Sequence, residues 1–212
     1  MDSNCNNAKD INKNIGILGG TFNPVHCGHL SMANEAIETG YVSCVAFLPL
    51  SIAPHKSNLD IADKEDRYNM LVLATQNNPK FSVWRDEIDR AGYTYTIDTL
   101  KILKKKYSDC NFVYIIGADA LLGLDKWKEI NEVFKLCKFL VIYRPGTNLE
   151  AVKLKIKELE QNYEVKINIV EDKGYKASSS FVRIALANGE NTENLLPNVV
   201  YRYIIQHGLY GV

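Results

Sequence analysis

The 212-residue chain has no surplus of charge: 25 Lys and Arg stand against 25 Asp and Glu. Nothing in that balance argues for nucleic acid as the main partner, although local basic groups can still meet a small anion. Also missing is any apolar run long enough to span a bilayer, so no membrane partner is expected. The segment 1–13 is polar and Asn-rich and lacks the apolar middle of a signal peptide. It reads as a flexible tail ahead of one domain at 14–212. The five cysteines (Cys5, Cys27, Cys44, Cys110, Cys137) are odd in number, scattered, and contain no Cys-x-x-Cys pair. That disfavours a disulfide framework and fits a reducing compartment. No internal repeat and no rich linker divides the chain. With 46% hydrophobic and 24% charged residues, a single soluble, cytoplasmic globular domain is the expectation.

What is present is alternation. Asn14 to Leu18, Val42 to Leu48, Phe81 to Trp84, Phe112 to Ile116, Phe139 to Tyr143 and Lys166 to Val170 read as strands. Helical patterns lie between and after them: from Gly28 to a stop at Gly40, then about Asp63 to Gln76, Thr96 to Tyr107, Leu149 to Gln161, Ser178 to Ala187 and Asn198 to Gln206. Such a pattern predicts an α/β fold, a Rossmann-like doubly wound parallel sheet with helices on both faces. Ligands of such sheets bind beyond the carboxyl ends of the strands. Four segments follow strands and so gather there: the glycine loop after Leu18, Pro54-His55-Lys56, Gly117-Ala118-Asp119 and Arg144-Pro145-Gly146.

The first of these carries the most information. Gly19-Gly20 is expected to turn the backbone tightly and expose its N–H groups, and Asn23-Pro24 to make a second turn. His26-Cys27-Gly28-His29 then opens a helix. Strand, glycine turn and helix N-terminus together collect phosphate charge, and two histidines three residues apart add donors at the same spot.

Gly19-Gly20-Thr21-Phe22-Asn23-Pro24-Val25-His26-Cys27-Gly28-His29 closely resembles the signature of nucleotidyltransferases with a His-x-Gly-His motif. Ala177-Ser178-Ser179-Ser180-Phe181-Val182-Arg183 resembles their second signature, a Ser/Thr-rich helix start followed by Arg. Within that superfamily several segments look like those of bacterial nicotinate-nucleotide adenylyltransferases. They are Pro54-His55-Lys56, Gly92 to Thr96 with Asp98-Thr99-Leu100, Gly117-Ala118-Asp119 before Trp127, Arg144-Pro145-Gly146 and Gly208-Leu209-Tyr210. The likeness covers nearly everything after Lys13. Three positions depart from the pattern: Asn23 replaces the usual Asp, Ala177 an Ile, and Ser180 a Thr. Asn keeps the turn chemistry and Ser a hydroxyl.

The resemblance implies attack by the phosphate of nicotinate mononucleotide on the α-phosphorus of ATP, with release of pyrophosphate. Such a site positions two anions and neutralises charge; it needs no activated Ser or Cys. The expected catalytic residues are His26, His29 and Arg183. ATP would meet Gly19, Gly20, Thr21, Phe22, His26, His29, Gly117, Asp119, Arg144, Ser178, Ser179, Ser180 and Arg183, with Asp119 on the ribose hydroxyls. The nicotinate nucleotide would meet Thr21, Lys56, Thr94, Tyr95, Thr96 and Trp127, with Trp127 stacked on the pyridine ring. Mg²⁺ would arrive with ATP, and no metal is expected to be held by protein side chains.

Plainer readings stand beside these. His26 and His29, with Cys27, are weak zinc ligands at that spacing or mere turn residues. The serines and Asp119 are also good helix caps, and Trp127 equally a core residue. Lys104 to Lys106 reads as a solvated helix end. Among functions, nicotinamide mononucleotide or phosphopantetheine as acceptor, cytidylyl transfer, and a nucleotide-binding module without catalysis are the alternatives. Acid against amide preference and oligomeric state, a homo-oligomer included, are not legible here.

Overall fold

Period-two alternation along the strands sends successive side chains to opposite faces, and that builds the sheet. The computed structural model describes residues 14–51, 61–174 and 177–212. The tail at 1–13 and the Pro54-His55-Lys56 segment, with its expected nucleotide contact Lys56, lie outside them. Six strands, β1 (Asn14–Gly20), β2 (Cys44–Pro49), β3 (Phe81–Val83), β4 (Asn111–Gly117), β5 (Lys138–Tyr143) and β6 (Ile167–Glu171), form one sheet in the order β3-β2-β1-β4-β5-β6. All neighbours are parallel. The strand order reverses between β1 and β4, the switch point at which such sheets bind nucleotides.

The helices are α1 (Cys27–Glu38), α2 (Lys64–Thr75), α3 (Thr96–Lys106), α4 (Ala118–Leu121), α5 (Ile130–Leu136), α6 (Leu149–Asn162), α7 (Ser179–Ala187) and α8 (Asn198–Gln206). One face of the sheet offers Ile15 and Ile17 of β1, Phe112, Tyr114 and Ile116 of β4, and Phe139 and Val141 of β5. Against it pack Ile97, Leu100 and Leu103 of α3, Val133 and Phe134 of α5, and Val152, Ile156 and Leu159 of α6. The other face offers Leu18, Val45, Phe47, Val113, Ile115, Leu140 and Ile142 to α1, α2, α7 and α8. Each helix thus buries one stripe at three- and four-residue spacing, which holds it where its short chain would not.

Local signals set the helix ends. Asp63 Oδ1 accepts the Glu65 amide ahead of α2, and Asn148 Oδ1 accepts the Ala151 amide ahead of α6. The three lysines that end α3 lie at its carbonyl end, where the helix dipole favours positive charge. No helix among the described residues is long and apolar enough to cross a membrane.

Candidate active site

The expectation of a tight Gly19-Gly20 turn is corrected: both glycines continue β1, in register with Leu48 and Pro49 of β2. Gly19 is needed for closeness rather than for turning. A Cβ there would lie 2.5 Å from the Tyr114 hydroxyl oxygen. The chain turns instead at Phe22, whose φ of 49° is left-handed, a cost of order 1–3 kcal/mol for a non-glycine residue. Packing holds it there. The Phe22 ring is buried, meets the His29 ring edge-on at 4.9 Å and leans on Phe47. Phe22 can therefore offer a ligand its backbone and not its ring.

Donors from distant segments fix the rest of this loop. Arg67 of α2 is 1% exposed, and its guanidinium donates to four backbone carbonyls. These are Thr21 O at 2.8 Å, Leu50 O at 2.7 Å, Ser51 O at 3.0 Å and Ala62 O at 3.1 Å. Arg183 donates to Asn23 O at 2.9 Å, and the Ser179 hydroxyl donates to Pro24 O at 3.0 Å. The second signature is thus bound directly to the first. The Asn23–Pro24 peptide is cis.

His26 caps α1 with extended backbone and is 1% exposed. Its ring stacks on that of His29 at 3.7 Å between centroids. The His26 amide donates to His29 Nδ1 at 3.3 Å, so Nδ1 must be unprotonated and the His29 proton sits on Nε2. Burial, and then the positive Arg144 nearby, hold the His26 pKa down to about 3. The imidazole is neutral at ordinary pH, and its Nδ1 is buried without a hydrogen-bond partner. The glycine between the histidines has a plain reason. A Cβ on Gly28 would stand 3.1 Å from two atoms of the His26 ring and 3.5 Å from Ala177 O.

Ala177 O in turn accepts from Arg144 at 2.8 Å, so β5, the α7 entry and the α1 start meet at one point. Ser178 caps α7, its hydroxyl accepting the Phe181 amide at 3.2 Å. Arg183 lies in the second turn of α7. The amide expectation for α1 is also narrowed: Cys27 N–H donates to Leu195 O and His29 N–H to His26 O.

Two further patches border this centre. Gly117 leads into α4, whose exposed Asp119 lines a cleft of about 380 Å³ with Ala118, Leu122, Pro145, Gly146 and Thr147. Asp119 and the Arg144-Pro145-Gly146 turn are therefore neighbours. On the other side, Thr94 is buried with Oγ1 unpartnered, and Tyr95 precedes α3. Trp127 is half-buried, edge-on to Tyr114 at 5.6 Å and near Phe139 at 6.3 Å. Lys128 Nζ lies 4.5 Å from the centre of the Tyr95 ring, which brings the Trp127 loop beside Thr94–Thr96. Among the described residues no group of three or more His, Cys, Asp or Glu lies together to hold a metal.

Sequence reasoning missed Arg67 and Glu87. Arg67 carried a signal: with Met70, Leu71 and Ala74 it falls on the apolar stripe of α2, where a charge is out of place. Glu87 carried none. It is buried, accepts from the Thr99 hydroxyl at 2.7 Å, and has its pKa raised to about 7 by burial.

A family profile described as cytidylyltransferase-like matches residues 17–185. A Thermoanaerobacter protein named "Probable nicotinate-nucleotide adenylyltransferase" is 41% identical over 92% of this chain and 93% of its own length. The Bacillus subtilis nicotinate-nucleotide adenylyltransferase is 37% identical over 93% of this chain and 98% of its own. In fold, the chain is similar to Plasmodium falciparum nicotinic acid mononucleotide adenylyltransferase complexed with NaAD. The TM-score is 0.75 at 20% identity, over 93% of this chain and 97% of that one. From the paired signatures, the sheet that carries them and these relatives, the chain belongs to the nicotinate-nucleotide adenylyltransferases, within the cytidylyltransferase-like nucleotidyltransferases.

Proposed function

We propose that this chain transfers the adenylyl group of ATP to nicotinate mononucleotide, giving nicotinate adenine dinucleotide and pyrophosphate in NAD biosynthesis. A phosphate oxygen of the mononucleotide bonds to the α-phosphorus while the bond to the β-phosphate oxygen breaks, and pyrophosphate leaves with that electron pair. Nothing is oxidised. The nucleophile is already an anion, so catalysis is positioning and charge stabilisation. The observation that carries this reading is the meeting of His26, Gly28 and His29 with Arg144, Ala177 and Arg183 at the β1–β4 switch point.

His29, with Nε2–H as its remaining ring donor, is suited to hydrogen-bond the α-phosphate and the departing pyrophosphate. His26 serves as a neutral partner that stacks on and orients it. Positive charge comes from Arg144 and Arg183, whose guanidinium groups have N–H donors beyond the one each gives to the loops. The start of α7 faces the β- and γ-phosphates through its dipole and the hydroxyls of Ser178 and Ser180, while Ser179 gives its proton to Pro24 O. Backbone of Gly19 to Phe22 and of Gly117 borders the nucleotide, and Asp119 in its cleft accepts from the ribose hydroxyls. The Thr94–Thr96 main chain and Trp127 hold the pyridine ring, and Lys56 meets the mononucleotide. Mg²⁺ arriving with ATP would shield the phosphates, and the described residues gather no cluster of carboxylates to hold it separately. The reaction is placed in the cytoplasm, and neither nucleic acid nor membrane takes part.

The test is pyrophosphate release from ATP and Mg²⁺ with nicotinate mononucleotide, nicotinamide mononucleotide or phosphopantetheine supplied separately. Release with the nicotinate compound, abolished in His29→Ala, is the expected result. Preference for another acceptor overturns the pathway. ATP binding without release for any acceptor overturns the enzyme.

A further inference from the structure

Gly208-Leu209-Tyr210 resembles a family feature, yet none of the chemistry above uses it. The segment after α8 is bent by residues in the left-handed region: Gly208 at φ 60°, Tyr210 at 63° and Gly211 at 86°. For the tyrosine that conformation is costly and needs a compensating contact. The contact is in the phosphate-binding loop. The Tyr210 hydroxyl donates to Asn23 Oδ1 at 2.8 Å, and the same oxygen accepts the Ala62 amide at 3.0 Å.

We infer that Tyr210 is a positioning residue, which holds the Thr21–Pro24 loop in its phosphate-binding shape through the Asn23 side chain. Five donors converge on this loop: Arg67 on Thr21 O, Arg183 on Asn23 O, Ser179 on Pro24 O, and both Tyr210 and the Ala62 amide on Asn23 Oδ1. Each fixes an oxygen. In a trans peptide the N–H lies opposite the preceding carbonyl, so drawing Thr21 O toward Arg67 turns the Phe22 amide the other way. The phenol also lies near the charges of Arg67 and Arg183, and burial, outweighing those charges, raises its pKa. It stays a hydroxyl donor at any working pH. Asn23 leaves this bond between two neutral groups.

The inference deepens the adenylyl-transfer reading and rests on it only for its kinetic arm. The variant is Tyr210→Phe, which keeps the ring and removes the one donor. Loss of one such hydrogen bond predicts about 3- to 10-fold faster amide exchange at Phe22 and Asn23, with unchanged exchange at 113–116 in β4. The kinetic expectation is a fall in kcat for adenylyl transfer of similar size, with the KM for the mononucleotide within about twofold. In an Asn23→Ala background the same change should have no further effect on either readout, because the acceptor is gone. Unchanged exchange at Phe22 and Asn23 overturns the inference, as does full additivity with Asn23→Ala. If the wild-type chain turns over no acceptor, the adenylyl-transfer reading fails, and the exchange measurement alone decides the role of Tyr210.

Discussion

Gly28→Ala separates catalytic geometry from stability, because the structure predicts effects on the two that do not run together. Gly28 is the second residue of α1, where alanine improves helix propensity by up to about 1 kcal/mol. Its new Cβ would stand 3.1 Å from two atoms of the His26 ring, too near by a few tenths of an ångström. That ring is 1% exposed and stacked on His29 at 3.7 Å, so it can relieve the overlap only by pushing the histidine pair. Strain and propensity gain are of similar size and oppose each other. The net stability change is within about 1 kcal/mol, or roughly 2–4 °C in the melting midpoint for a chain of this size. Catalysis has no such offset. If a misplacement of about 1 Å costs 10²-fold, a few tenths cost about 5-fold in kcat. The assay is steady-state pyrophosphate release beside a thermal melt. Activity within 1.5-fold of wild type would refute the claim that Gly28 exists to seat His26.

Other outcomes follow from the same geometry. Arg67→Met strands four carbonyl acceptors and should destabilise by about 2–5 kcal/mol, a melting shift of roughly 5–15 °C. A shift under about 2 °C contradicts that assignment. His29→Ala should lower kcat by about 10²–10³-fold, read by the same release assay, if its Nε2–H meets developing charge. His26, at about 3 in the fold against 6.5, takes up fewer protons folded than unfolded, so its contribution is lost as pH falls from about 6.5 toward 3. Glu87, raised from 4.5 to about 7, acts oppositely: its contribution is present below about 4.5 and lost as pH rises through 7. Urea midpoints between pH 4.5 and 6.5 should therefore rise with pH in Glu87→Gln and fall with pH in His26→Gln. Parallel profiles would contradict both assignments.

Much of the architecture was legible because it is periodic. The alternation of Phe112, Tyr114 and Ile116 with Val113 and Ile115 marks β4, and the spacing of Val152, Ile156 and Leu159 marks α6. Short elements were not: α5 has seven residues, enters from Glu129 at a left-handed φ of 52°, and carries no cap. Gly19 misled because glycine serves turning and close approach alike, and only the Tyr114 hydroxyl beside it tells them apart. The signatures singled out the histidines, serines and Arg183, which the fold gathers around one loop. They did not tell that Ser179 and Arg183 bind the first loop, since a side chain's partner 155 or 160 residues away leaves no local pattern. Arg67 was visible only as a charge on an apolar stripe. Glu87 in Asp86-Glu87 looks like any surface acid until the fold closes over it.

The central claim is that the histidine pair, fixed by the loop and the second signature, transfers adenylyl to a pyridine mononucleotide. The most direct measurement is product formation from ATP, Mg²⁺ and nicotinate mononucleotide by the wild-type chain and His29→Ala, side by side. The account predicts nicotinate adenine dinucleotide and pyrophosphate in equal amounts from the wild type and a loss of about 10²–10³-fold in the variant. Dinucleotide formed at equal rates by both proteins, or none by the wild type while ATP binds, would contradict it.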